Sequence, residues 1–335
     1  MHGRIFTMKK SSLFIPAIII SSQLMIIWII LGLISSSKTA QMYINPISKD
    51  KIVITPNNEL KYFYEPVANS WDSANYDWMP SKAINRLNSD TLNEFEEYQV
   101  YKKSRTFRIV ALGDSFTYGL YVNTRDNWVE QLEMKMNQDV SCSTYNKYEA
   151  INLGVHGYDI EYTSERFLVR GEKYAPDVII WYLKNDDFGQ INEYIFEKER
   201  DYAKTFGTSD EENDVQDKEK IFFSWENAIN NVWKDKGKEH IIQYQTNILR
   251  DFIYRTDSKI IFMVSARINS EFENILLNFQ EDYRNKIFVF NTLTDLYSDE
   301  SLYFQNDLHP NKAGHAVIAN DVFTYLTQQD FIECN

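Results

Sequence analysis

The sequence predicts an α/β fold with a parallel sheet that is covered by helices on both faces. Short, continuously apolar runs alternate along the chain with segments whose apolar residues recur at helical spacing. Strands without a polar face are typical of a parallel sheet buried on both sides, and right-handed crossovers then join successive strands. The 335 residues, 44% hydrophobic and 25% charged, suffice for one large globular domain or two small ones.

Five apolar segments are predicted to be the strands of this sheet, and helical patterns lie between or after them. The strands are expected at 106–112, 150–154, 177–183, 259–264 and 286–290. The helices are expected at 127–138, 161–174, 240–254 and 311–326. The last helix is expected to bury Ala319, Val322, Phe323 and Leu326. In such sheets, ligand sites form at the carboxyl ends of the strands.

The start of the chain predicts a membrane anchor. Residues from Leu13 to Ile34 are almost entirely apolar, and as a helix at ~1.5 Å per residue they span ~33 Å, about the thickness of a bilayer's hydrocarbon core. Arg4, Lys9 and Lys10 precede this run, so the positive-inside rule places the N-terminus in the cytoplasm and the remainder outside the cell membrane. A cleaved signal peptide is one alternative, and a core helix of the folded domain is the other.

The predicted organisation follows from these patterns. A cytoplasmic N-terminus (1–11) and a transmembrane anchor (12–35) precede a stalk that then wraps the domain (36–104). The α/β domain occupies 105–330 and contains a charged insertion at about 186–239. The insertion is either a solvated loop or pair of surface helices, or a lid over the site, since it leaves from the carboxyl end of a strand.

Charge and cysteine content exclude some classes of protein. Acidic residues outnumber basic ones, 48 to 35, for a net charge of −13, which argues against a nucleic-acid partner. The two cysteines, Cys142 and Cys334, form no metal-binding motif, so no structural zinc site is expected. They are able to pair if the domain lies outside the cytoplasm, but the sequence leaves their proximity open.

A Gly-Asp-Ser turn places Ser115 just past the first predicted strand, in the sequence RIVALGDSFTYG. An ordinary strand-to-helix turn is one interpretation, and an exposed nucleophile is the other. A serine nucleophile needs a base, usually a histidine. His309 follows the last predicted strand, in DLHPN, and Asp307 two residues earlier is placed to orient its ring.

Stabilising an oxyanion needs further fixed donors near the serine. The backbone N–H of Ser115 is one candidate. Gly157 follows the second predicted strand and Asn185 the third, so both are expected at the same edge of the sheet.

Together these segments resemble the four sequence blocks of the SGNH, or GDSL-type, esterase and lipase superfamily, over about residues 105–328. The resemblance implies a three-layer α/β/α sandwich with a flavodoxin-like, five-stranded parallel sheet. It implies Ser115, His309 and Asp307 as a catalytic triad, and Ser115, Gly157 and Asn185 as the oxyanion hole. It implies no cofactor and no metal.

Two departures from the superfamily pattern stand out. The third block of the superfamily usually reads Gly-x-Asn-Asp or Gly-Asn-Asp, whereas here Lys184 precedes Asn185. The acidic residue of the last block usually stands three residues before the histidine, where this chain has Asn306. Asp307 is preferred as the orienting residue because a carboxylate stabilises the imidazolium that forms and a neutral amide does not.

The expected function is therefore that of a membrane-anchored serine esterase whose catalytic domain is extracytoplasmic. Its substrates are expected to be acyl esters, O-acetyl or other short acyl groups, on envelope glycans or lipids, with removal or transfer of the acyl group both open. A non-catalytic envelope module that binds or scaffolds glycans on the same fold is the alternative. Labelling of Ser115 by a fluorophosphonate discriminates the two.

Overall fold

A computed structural model of the chain describes residues 42–44, 51–53, 60–206, 227–292 and 295–334. The predicted cytoplasmic N-terminus and anchor, residues 1–35, lie outside the described residues. Within the described part of the chain, no helix is both long and apolar enough to cross a membrane.

Two small antiparallel strand pairs precede the main sheet. β1 (Met42–Ile44) pairs with β2 (Lys51–Val53), and β3 (Ser70–Ala74) pairs with β4 (Ala83–Leu87). The β3–β4 hairpin belongs to the segment that the sequence predicts to wrap the domain.

Five parallel strands form the central sheet, as the sequence predicts. They are β5 (Thr106–Leu112), β6 (Lys147–Asn152), β7 (Val178–Leu183), β8 (Lys259–Val264) and β9 (Ile287–Asn291). Their spatial order is β6-β5-β7-β8-β9, which is the flavodoxin-like order. Every residue of β5 and β7 is buried, because helices cover both faces of the sheet.

The described helices are α1 (Ser115–Tyr118), α2 (Trp128–Asp139), α3 (Ile160–Arg166), α4 (Asn185–Gly189), α5 (Asn192–Phe206), α6 (227–236), α7 (Lys238–Arg255), α8 (Ser270–Asp282) and α9 (Lys312–Gln328). One face of the sheet packs against α3, α7 and α8, with Ile160, Phe252 and Leu276 in its core. The other face packs against α2 and α9, with Leu132 and Val322 in its core. The result is a three-layer α/β/α sandwich.

The structure corrects several predicted elements. β6 begins at Lys147 rather than 150, and the helix predicted over 161–174 ends at Arg166 and continues as a wider turn over Phe167–Gly171. Phe323 is only partly buried, because it lies at the margin of the α9 contact with the sheet. α8 was not predicted, although Phe272, Leu276 and Phe279 recur at helical spacing.

The wrapping segment is pinned to the domain by a buried ion pair. Glu65 accepts a hydrogen bond from Arg166 at 2.7 Å, and both side chains are only 1% exposed. Arg170 bonds the same carboxylate at 2.7 Å. Because unpaired buried charges are costly, this network holds the segment in one position on α3.

The described part of the insertion has a small hydrophobic core of its own. It consists of Ile191, which directly precedes α5, Ile195 of α5, Ala228 and Val232 of α6, and Ile241 of α7. Its acidic run at 207–226 lies outside the described residues. Cys142 and Cys334, whose pairing the sequence left open, form a disulfide with a Cα–Cα distance of 5.0 Å.

Candidate active site

The turn after β5 presents Ser115 as the first residue of α1. Gly113 has φ +145°, and a Cβ there would lie 2.5 Å from Thr117 Oγ1 and 3.0 Å from the Tyr182 carbonyl, so only glycine fits. The Asp114 carboxylate caps α1 by accepting the Phe116 N–H at 3.0 Å. The Ser115 N–H lies in the first turn, where a helix supplies no acceptor.

His309 lies between Ser115 and Asp307. Its Nε2 is 2.7 Å from Ser115 Oγ, and its Nδ1 is hydrogen-bonded to Asp307 Oδ1. The Tyr121 hydroxyl donates to the other Asp307 oxygen at 3.3 Å. This is the order that proton transfer from serine to an oriented imidazole requires. The structure thus brings together the three predicted side chains, while their catalytic roles stay predictions.

A left-handed residue explains how Asp307 reaches a ring only two residues away. Leu308 has φ +71°, and the Phe304 carbonyl accepts the N–H groups of both Asp307 (3.1 Å) and Leu308 (2.6 Å). In an extended segment the two side chains would stand ~6–7 Å apart along the chain. The turn closes that distance, whereas Asn306 is exposed to solvent.

Aromatic rings hold the imidazole from both sides, and sequence reasoning missed them. The Phe116 ring lies 5.1 Å from the His309 ring, and Tyr121 meets it edge-on at 5.4 Å. Trp78, from the β3–β4 connection, contacts Tyr121 at 5.1 Å. The wrapping segment therefore supports the site, although no local pattern placed it there.

Lys184, the departure in the third block, forms an ion pair with Asp114, the residue before Ser115. Its Nζ lies 2.7 Å from Asp114 Oδ2 and 4.2 Å from the centre of the Phe116 ring, and the side chain is 17% exposed. Burial by itself lowers the pKa of this amine, but the surrounding carboxylates, chiefly Asp114, raise it above its ordinary value. The amine is therefore charged and ties the end of β7 to the Ser115 turn.

The two other oxyanion candidates differ in how the structure places them. Gly157 has φ +76°, and a Cβ there would lie 2.8 Å from the Tyr64 hydroxyl oxygen, so the close approach requires glycine. The Asn185 side-chain NH₂ group donates to the Arg267 carbonyl at 3.2 Å, and its Oδ1 accepts the Asn269 N–H at 2.7 Å. Its side chain is thus engaged by the loop after β8, and its oxyanion role stays a prediction.

A cavity of about 590 Å³, here called the large cavity, opens beside His309 at the carboxyl edge of the sheet. Segments that follow β7, β8 and β9 line it, together with the loop before α9. Charges of both signs face it: Lys184, Arg267 and Asp295 among them, with Arg267 and Asp295 paired at 2.9 Å. Its volume is typical of a small-ligand site.

Two other histidines of the described part, His315 and His240, differ in environment. His315 is fully buried in α9, and its Nδ1 accepts the Trp128 N–H at 3.2 Å. Burial lowers the pKa of His315 to about 3, so it stays neutral. His240 is exposed on α7. Among the described residues, no group of three metal-ligating side chains is placed to hold an ion.

Comparison with known protein families gives a match over most of the α/β domain. A family model described as GDSL-like lipase/acylhydrolase matches residues 109–322. No curated protein matches the chain in sequence.

Solved structures of esterases show a distant likeness. The psychrotrophic esterase EstA from Pseudoalteromonas sp. is 14% identical, with a TM-score of 0.43 over 66% of this chain and 97% of its own. A two-domain esterase active on acetylated mannans is 14% identical, with a TM-score of 0.40 over 69% of this chain and 51% of its own. The family 3 carbohydrate esterase of Clostridium thermocellum is 14% identical, with a TM-score of 0.36 over 69% of this chain and 100% of its own.

Proposed function

The chain belongs to the GDSL-like lipase/acylhydrolase family, and we propose that it cleaves acyl esters with Ser115 as nucleophile, His309 as base and Asp307 as the residue that orients His309. The observation that carries the proposal is the position of the imidazole, 2.7 Å from Ser115 Oγ and hydrogen-bonded to Asp307 on its other side. The family match makes the chain a serine ester hydrolase and disfavours the non-catalytic module.

The proposed reaction proceeds in two steps. Ser115 Oγ attacks the ester carbonyl while His309 Nε2 takes its proton, and the same proton then passes to the leaving alcohol. The resulting acyl-serine is released by water, or by a sugar hydroxyl if the enzyme transfers the group, with His309 again acting as base. The Ser115 and Gly157 N–H groups and the Asn185 amide are the proposed oxyanion donors.

Fluorophosphonate labelling tests the nucleophile. The wild-type protein is expected to be labelled at Ser115, and Ser115→Ala to lose both labelling and at least ~10⁴ of its ester hydrolysis. Ser265→Ala is the matched control, because Ser265 lines the same large cavity and has no role in the proposed mechanism. Labelling that persists in Ser115→Ala and disappears in Ser265→Ala overturns the assignment.

We also propose that the domain works outside the cytoplasm, held to the membrane by residues 12–35, on short acyl esters of envelope glycans or lipids. The basic residues before Leu13 support this topology. The Cys142–Cys334 disulfide also supports it, since such bonds persist in oxidising compartments. Protease added to intact cells is expected to degrade the domain. Full protection, with degradation only after lysis, would contradict the topology.

A further inference from the structure

A second cavity of about 240 Å³, here called the small cavity, lies at the junction of the wrapping segment and the Ser115 turn. The wrapping segment supplies Tyr64, Trp71 and Asp72 to its wall, and the α/β domain supplies Tyr118 and His156. Residues 60–104 precede the region that the family model matches. Part of the small cavity's wall therefore comes from residues outside the matched region, and part from residues within it.

The small cavity adjoins the proposed oxyanion loop. Tyr118 ends the helix that Ser115 begins, and His156 directly precedes Gly157. The Tyr64 hydroxyl donates to the His156 carbonyl at 2.6 Å and lies within 2.8 Å of the place where a Gly157 Cβ would stand. A ligand in this cavity would thus lie against the loop that carries Gly157.

Trp71 is an exposed aromatic residue in the wall of the small cavity. Its side chain is 65% exposed, whereas Trp128 and Trp181 are buried in the core. An indole presents a flat apolar surface together with one N–H donor, and exposed aromatics of this kind are typical of binding surfaces.

Polar groups line the same cavity. The Tyr118 hydroxyl donates to Asp72 Oδ2 at 3.2 Å, and the His156 ring lies 5.9 Å from the Tyr118 ring. A pyranose ring matches this combination, because it offers an apolar C–H face to an indole and hydroxyl groups to a carboxylate and a phenol. A hydrocarbon chain forms no hydrogen bonds with this carboxylate and phenol, and the Asp72 carboxylate repels an anionic sugar.

The cavity wall is preorganised. The buried Glu65–Arg166 pair fixes the chain one residue after Tyr64. Asn85 of β4 donates to the Val122 carbonyl at 2.9 Å and holds the hairpin against the domain. A fixed wall binds with less loss of conformational entropy than a mobile loop.

We propose that the small cavity is a subsite for a pyranose ring of a neutral or amino-substituted saccharide, with Trp71 stacking on the ring and Asp72 accepting hydrogen bonds from its hydroxyls. The proposal deepens the proposed function and rests on it, since the ring belongs to the saccharide that carries the ester.

Binding without turnover tests the subsite apart from the chemistry. Full-length Ser115→Ala protein in detergent is titrated calorimetrically with xylohexaose, mannohexaose and chitohexaose, and with a galacturonate hexamer as the anionic probe. At least one of the first three is expected to bind, and Trp71→Ala in the same background to weaken it about tenfold, the loss typical of an aromatic anchor. Asp72→Asn gives a second variant with the same shape. Tyr254→Ala, which removes an 82% exposed aromatic from α7, is the matched control and is expected to leave affinity unchanged.

Three binding outcomes overturn the proposal. The first is failure of all three saccharides to bind, and the second is equal affinity in the Trp71→Ala, Asp72→Asn and control proteins. The third is tighter binding of the galacturonate than of the neutral probes, because it would show that an anion is preferred.

Kinetics on the enzyme with Ser115 intact separates this inference from the proposed function. For Trp71→Ala, kcat/KM for acetylated xylohexaose is expected to fall about tenfold relative to that for 4-nitrophenyl acetate. If 4-nitrophenyl decanoate is the substrate that loses most, the cavity holds acyl chains and the proposal is wrong. If the wild-type protein hydrolyses no ester but the saccharide still binds through Trp71, the proposed function fails and the subsite stands.

Discussion

Replacing Asp307 by asparagine removes the negative charge beside the His309 ring while keeping the shape of the side chain. In the structure, Asp307 Oδ1 bonds His309 Nδ1, and Nε2 faces Ser115 Oγ at 2.7 Å, where the proposed mechanism needs a proton acceptor. An asparagine that turns its NH₂ group to Nδ1 forces the proton onto Nε2. The ring then cannot accept the serine proton.

The size of the effect follows from the two losses together. The wrong tautomer and the missing charge have cost a serine triad of this arrangement ~10⁴ in turnover, equivalent to ~5.5 kcal/mol of transition-state stabilisation. Tyr121, whose hydroxyl lies 3.3 Å from Asp307 Oδ2, does little to select the orientation of the asparagine amide. A phenol hydroxyl is able to donate to the amide oxygen or to accept from the NH₂ group. We therefore expect Asp307→Asn to lower kcat by ~10⁴.

Asn306→Ala is the matched control for this substitution. Asn306 occupies the position where the superfamily usually has its acidic residue, but here its side chain is exposed. Its removal is expected to change kcat less than about threefold, as surface substitutions generally do. Both variants are assayed with 4-nitrophenyl acetate and by the rate of fluorophosphonate labelling, which reports the reactivity of Ser115 directly.

The reasoning is refuted if Asn306→Ala is the more damaging of the two. A loss below tenfold in Asp307→Asn also refutes it. In either case His309 would act with Ser115 as a dyad or through a partner outside the turn.

Three further expectations concern the scaffold. Leu308 has φ +71°, so Leu308→Gly is expected to keep kcat within about threefold and to leave the free energy of unfolding in urea unchanged or raise it by up to ~1 kcal/mol. Leu308→Val is expected to lower the free energy of unfolding by ~1–2 kcal/mol. A large loss of stability in the glycine variant alone would contradict this. His315 has its pKa lowered by burial from 6.5 to about 3, so its contribution to stability is full above pH 6.5 and falls on acidification, by ~2 kcal/mol at pH 5. His315→Asn, whose carbonyl is able to accept the Trp128 N–H, should flatten the pH dependence of urea unfolding by that amount, and an unchanged slope would count against it. Reducing the Cys142–Cys334 disulfide, whose cysteines are 192 residues apart, should lower the free energy of unfolding by ~2–5 kcal/mol. An equal urea midpoint with and without reductant would contradict this expectation.

Much of the fold and part of the site follow from local patterns in the sequence. The apolar runs at 106–112 and 259–264 became β5 and β8 with the predicted bounds. The Gly-Asp-Ser turn lies at the carboxyl end of β5, and the DLHPN segment lies before α9, so Ser115 and His309 meet at one edge of the sheet. α8 was not predicted, although the spacing of its apolar residues is helical.

The sequence by itself determined the alternation of strands and helices and the order of the site residues along the chain. Apolar periodicity and turn residues act over a few neighbouring positions, and each segment carries them regardless of its surroundings. Only the tertiary structure decided that Leu308 adopts the left-handed turn that selects Asp307, and that Lys184 pairs with Asp114. It also decided that the β3–β4 hairpin brings Trp78 against Tyr121 at the candidate active site and Trp71 to the small cavity. These contacts join residues far apart in the chain, and their geometry depends on how whole layers pack, which no local pattern encodes.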